Sequence, residues 1–179
     1  MVDPALRTKW LYWLIFCAFS VAILFFQLIP LQTSPSNWAM PDLLVCIIFA
    51  WGLRRSDYTP VLLIAIILLV ADMLLMRPPG LMAGLIVLGA EFLRARTQLL
   101  RELPFPLEWA MVAGVLLAIL VANRFVLILV MQPRPDLWLS LTQLITTLAA
   151  YPLVVLVSRF VLGIRKIATG EVDALGHRI

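Results

Sequence analysis

One aspartate and two arginines stand where the chain is otherwise built for lipid. Asp72 lies in the run "LLVADMLLMRPPGL", Arg77 follows five residues later, and Arg124 sits inside the apolar segment 107–131. A charged side chain at the centre of a bilayer costs about 2.5–3.5 kcal/mol on insertion scales, so each needs a partner or a task. The chemistry open to Asp72 is an ion pair, a helix cap, a contact to a partner or ligand, or a proton relay. A relay has the least support, because no second carboxylate shares its depth. Depth favours a pair with Arg124. Asp72 is 13 residues past Thr59, roughly 20 Å along a helix, and Arg124 is 17 residues past Leu107, roughly 25 Å. Both then fall in the same third of a hydrocarbon core about 30 Å thick. Arg77 is the second counter-charge, reaching from the neighbouring turn, and Arg124 could instead snorkel to the surface.

Three further groups carry polar or steric information. Glu91 precedes Arg94 and Arg96 by three and five residues, the spacing of a local, solvated ion pair on one helix. Gln143, Thr146 and Thr147 share one side of the last apolar segment, and Pro152 follows. That face either glues helices together by hydrogen bonds or lines a small cavity. Pro152 removes a backbone donor, so a bend is expected and a freed carbonyl must find a neighbour. Ala110, Gly114, Ala118 and Ala122 recur every four residues. Such a row lets two helices approach closely; packing within the chain is the first reading and a contact between subunits the second. Gly80 and Gly84 form a lone GxxxG, a weak signal.

Catalytic chemistry is not expected. The one histidine, His177, lies in a polar tail, and neither HExxH nor GxSxG occurs. Cys17 and Cys46 both lie in apolar runs and read as packed thiols rather than a disulfide or metal ligands. No cofactor or metal site is foreseen.

These residues need helices to position them. The chain is 63% hydrophobic with a mean hydropathy of +1.03, against about 45–50% apolar residues in soluble domains. Breakers divide it into six helices at 10–29, 41–53, 59–76, 80–94, 107–131 and 137–162, followed by a polar tail. Segment 10–29 is longer than the roughly 7–15 residues of a signal-peptide core and reads as a membrane span. Pro41 opens the second helix at a favourable first position, and that helix is short for a span. The expectation is an all-α polytopic membrane domain over residues 1–166 and a short cytoplasmic tail over 167–179.

Charge orients the spans. Arg7, Lys9, Arg54, Arg55, Arg94, Arg96, Arg101, Arg165, Lys166 and Arg178 fall on one side, and only Arg77 and Arg134 on the other. Under the positive-inside rule both termini are cytoplasmic, and loops 30–40, 77–79 and 132–136 face outward. The net charge of +4 then reflects topology and contact with anionic lipid rather than nucleic acid.

"MPDLLVCIIFAWGLRR" carries Pro41-Asp42, "LLVADMLLMRPPGL" carries Asp72 with Pro79-Gly80, and "AAYPLVVLVSRFV" carries Tyr151-Pro152. In this order the motifs resemble the MreD family of rod shape-determining membrane proteins. The likeness runs over roughly residues 10–166. The turn reads Pro78-Pro79-Gly80 where the family has Pro-Leu-Gly, and Ile67/Leu68 replace a usual glycine. The resemblance implies a bacterial inner-membrane protein of the elongation machinery for lateral peptidoglycan. It implies association with MreC, a single-pass protein with a periplasmic domain. Indirect partners would be the actin-like MreB, the elongation glycosyltransferase and a penicillin-binding transpeptidase. It also implies a fold similar to the substrate-binding subunits of energy-coupling-factor transporters. The alternative function, a small-molecule-binding membrane subunit of a transporter, follows from that similarity and from the Gln143/Thr146/Thr147 face.

Overall fold

The computed structural model describes residues 4–29, 39–97, 104–133 and 135–161. The tail foreseen at 167–179, most of loop 30–40, and Arg101, Arg134, Arg165, Lys166 and Arg178 lie outside the described residues. The described chain is all-helical: α1 (Pro4–Leu28), α2 (Leu43–Arg54), α3 (Val61–Leu74), α4 (Leu81–Ala95), α5 (Phe105–Leu129) and α6 (Leu137–Val161). A single 3₁₀ turn, Ser56–Tyr58, joins α2 to α3.

Among the described residues, three helices are long and apolar enough to cross a membrane: Lys9–Leu28 within α1, Phe105–Leu129, and Leu137–Phe160 within α6. The other three have 12, 14 and 15 residues, roughly 18–23 Å at 1.5 Å per residue. Their shortness has local causes. Pro41 is not the first helical residue: the Asp42 side chain accepts from the Val45 N–H at 3.3 Å, making Asp42 the N-cap and placing Pro41 before the helix. Met76, with φ +54°, closes the end of α3, where the Arg77 N–H reaches back to the Asp72 carbonyl at 2.9 Å. Gly80, at φ +86°, stands at the start of α4 in a conformation that side chains resist. α5 begins two residues earlier than expected, because Pro104 is its N-cap and Pro106 tolerates the first turn.

α2 is the axis of the core. Every residue from Leu44 to Arg54 is buried, as its all-round apolar sequence requires. α4 and α6 pack against it, α5 packs on both α4 and α6, and α1 lies outside with α3. Gly89 makes the closest joint. A Cβ there would come within 2.9 Å of Val115 Cγ1 and 3.0 Å of Ile119 Cδ1, with Phe49 of α2 at 3.4 Å. The row Ala110, Gly114, Ala118 and Ala122 does not pack inside the chain. Its first three members are exposed and Ala122 is partly so, while α5 buries Glu108, Val112, Val115, Leu116, Ile119 and Leu127. The larger side chains took the core because they fill it, which leaves the small-residue face outward. Gly84 likewise meets nothing within 4 Å.

Candidate functional site

The polar residues divide between two ends of the enclosure formed by α2, α4, α5 and α6. At one end lies Glu108, fully buried in the first turn of α5. Arg54, at the last turn of α2, donates from one guanidinium nitrogen to Glu108 Oε1 at 2.9 Å and from the other to the Ala50 carbonyl at 3.0 Å. The Tyr151 hydroxyl donates to the same Glu108 oxygen at 2.9 Å. Three helices are thereby tied by one carboxylate. Arg54 is 6% exposed, so it is a core residue and not the loop charge its place in the sequence suggests. The same end holds Arg94, which bonds Glu91 at 2.8 Å as expected from the spacing and also reaches the carbonyl and hydroxyl of Thr59. Arg96 does not join that pair; it lies over the Phe92 ring, 3.7 Å from the centroid. Just beyond, Trp13 and Lys9 of α1 reach Asp57, and Tyr12 stacks on Tyr58 at 4.1 Å.

At the other end, Asp72 does not pair with Arg124 or Arg77. Its Oδ2 accepts the N–H groups of Gly80 and Ala83, both at 3.1 Å. The tight Pro78-Pro79-Gly80 turn brings the start of α4 back over α3, and the unpaired N–H groups of that start meet the carboxylate. Asp72 is therefore a cap supplied from the preceding helix, where negative charge also complements the helix dipole. Arg77 lies 3.8 Å from Asp42 instead. Arg124 donates to the Pro135 carbonyl at 2.8 Å and to Ser140 Oγ at 3.2 Å.

Of the positions that carry the resemblance, Pro41-Asp42, Asp72 and Pro79-Gly80 fall near helix ends, whereas Tyr151 and Pro152 lie inside α6. Asp42 caps α2, and its N–H donates to Thr147 Oγ1 at 2.9 Å. Thr146 Oγ1 donates to the Ala39 carbonyl at 3.1 Å, and Cys46 Sγ reaches the Thr147 carbonyl at 3.3 Å. Tyr151 belongs to the Glu108 cluster. Pro152 stays within α6, and the carbonyl it orphans, that of Leu148, accepts from Trp109 Nε1 at 3.0 Å. The two readings of the Gln143/Thr146/Thr147 face both apply in part: Thr146 and Thr147 hold the entry to α2, while Gln143 and Thr147 also line a cavity.

That cavity, about 450 Å³, opens at the Asp42 end between α2, α4, α5 and α6. It gathers Arg77 and Arg124, two of the three charges singled out from sequence, together with Asp42. Ile86, Leu116 and Ile119 form its apolar wall.

No family model, curated protein or solved structure matches the chain.

Sequence reasoning missed the Arg54–Glu108–Tyr151 cluster, although a signal existed. Arg54 ends one helix and Glu108 begins another on the same side of the charge census, so their depths match and their signs are opposite. It also missed Gly89, whose role depends on which helix faces it.

Proposed function

We propose that this chain is a non-catalytic scaffold subunit of MreD type in the bacterial inner membrane. It binds an MreC-like single-pass partner and supports lateral peptidoglycan synthesis and cell shape, with MreB, the elongation glycosyltransferase and the penicillin-binding transpeptidase as indirect partners. The observation that carries this reading is the ordered motif series Pro41-Asp42, Asp72 with Pro79-Gly80, and Tyr151-Pro152, whose members cap helix starts or tie α6 to α5. Side chains that join helices suit a protein that holds a shape for another. The outward row Ala110, Gly114, Ala118 supports the same reading, since small residues on a lipid-facing helix allow a second helix close approach.

The membrane arrangement belongs to the proposal. All six helices cross, with the Glu108 end and both termini cytoplasmic, in line with the Lys/Arg asymmetry. α2 can be short because protein surrounds it: every residue from Leu44 to Arg54 is buried. Affinity purification of the tagged full chain in mild detergent is expected to bring down a single-pass chain with a periplasmic domain in near-stoichiometric amount. Repeated isolation without such a chain contradicts the scaffold reading.

A second reading, a small-molecule-binding membrane subunit of a transporter, is favoured by the cavity near Arg124. Native mass spectrometry of the purified chain is expected, on this reading, to show a stoichiometric bound molecule; a bare chain contradicts it.

A further inference from the structure

The cavity at the Asp42 end carries a positive charge that its own walls leave unbalanced. Its ionisable lining is Asp42, Arg77 and Arg124. Asp42 and Arg77 lie 3.8 Å apart and offset each other. Arg124 has no such partner: it donates to two neutral oxygens, and no carboxylate among the described residues forms an ion pair with it. Its Nε is buried without a hydrogen-bond partner. A guanidinium offers five N–H donors in a planar fork that matches carboxylate and phosphate oxygens. Arg124 is only partly buried, but its Nε is shut off from water with no acceptor, and an incoming anion would supply both the missing charge and further acceptors.

Beyond the arginine the walls become apolar. Leu116 precedes Arg124 by eight residues, roughly 12 Å farther along α5, and Ile86 and Ile119 stand beside it in the lining. Asn123 and Gln143 add neutral polar groups on the Arg124 side. The volume of about 450 Å³ lies within the roughly 300–1,000 Å³ of small-molecule sites. A cationic mouth over an apolar interior fits an amphipathic anion with its head at the membrane surface.

We propose that this cavity binds a phosphate-ester anion bearing an apolar tail, with Arg124 as the principal charge partner. The inference rests on the cavity of the second reading above but requires binding only, not transport, and it is compatible with a scaffold role. A lipid headgroup and a free phosphate ion share the recognised chemistry, and the test separates them.

The full-length protein, purified in neutral detergent and stripped of lipid, is titrated with phosphatidylglycerol, phosphatidylcholine or inorganic phosphate. Binding is read by native mass spectrometry and thermal shift. The expected result is one saturable phosphatidylglycerol per chain, with phosphatidylcholine, whose choline cation offsets the phosphate charge and is repelled by Arg77 and Arg124, bound at least about tenfold more weakly. Arg124→Gln should weaken phosphatidylglycerol by a similar factor, and Arg124→Lys should restore part of it. Leu120→Trp fills the cavity while keeping every charge and should also lose the lipid, so the test survives if Arg124→Gln fails to fold. Inorganic phosphate binding as tightly as phosphatidylglycerol would assign the anion site to the free ion and remove the tail. Equal binding of the two lipids, or unchanged phosphatidylglycerol binding in Leu120→Trp and Arg124→Gln, overturns the proposal. A stoichiometric neutral solute bound without any anion binding would overturn it while leaving the second reading intact.

Discussion

Glu108 accepts from Arg54 and Tyr151 on one oxygen in a place that water does not reach. Breaking a buried pair from one side leaves a stranded charge and costs about 3–5 kcal/mol, whereas replacing both sides with apolar groups of similar volume is often neutral. Glu108→Leu is therefore expected to lower detergent-solubilised thermal stability severely, and Arg54→Met with Glu108→Leu to recover most of it; thermal unfolding of the three proteins checks this. Asp72 behaves differently. Its donors are backbone N–H groups, so Asp72→Ala should cost about 1–2 kcal/mol as a lost cap. With no shared partner, the losses from Asp72→Ala and Arg124→Gln should add to within about 0.5 kcal/mol in a double-mutant cycle. A coupling well above that would restore the ion pair. Depth along the helix correctly placed Asp72 and Arg124 towards one end, but it fixes only one coordinate. The angle around each helix decides who meets whom, and a search for opposite charge overlooks a cap made by backbone. The same depth rule, applied to Arg54 and Glu108, would have paired them.

α6 runs unbroken through Pro152 because α5 supplies the missing donor. Trp109 Nε1 reaches the Leu148 carbonyl that Pro152 leaves unpaired. Trp109→Phe keeps the ring and removes the donor, so it should cost about 1–2 kcal/mol for an unsatisfied carbonyl; the same change in a Pro152→Ala background should cost less, as read by thermal unfolding. The need for a neighbour was legible from Pro152 alone, but its identity was not, because no local pattern ties Trp109 to α6. Helix ends show the same division. Pro, Gly and Asp marked most boundaries closely, but α1 begins at Pro4 and not at Trp10, and the order of packing escaped. α2, α3 and α4 are all short and apolar, and nothing in their composition says that α2 is the axis. The row from Ala110 to Ala122 was readable as a smooth face, but its outward direction follows from the larger residues that α5 turns inward.

Among the described residues, the helical enclosure is tied shut at one end and open at the other. The Arg54–Glu108–Tyr151 cluster ties α2, α5 and α6 at the end that also holds Arg94, and the cavity opens at the opposite end beside Arg77 and Arg124. Around this core, α1 and the outer faces of α3, α5 and α6 present large apolar side chains. Membrane lipid suits most of that surface. On the proposed reading the exposed small-residue row of α5 receives another helix, and the scaffold account stands on whether one sits there. A photoreactive amino acid placed at Ala118, and separately at Gly114, in the full chain in living cells tests that contact most directly. The account predicts a discrete adduct from both positions to one single-pass membrane protein, and none from Leu62 on α3, which is 74% exposed. Adducts to no single-pass chain from either position, with the protein folded and in the membrane, would contradict it.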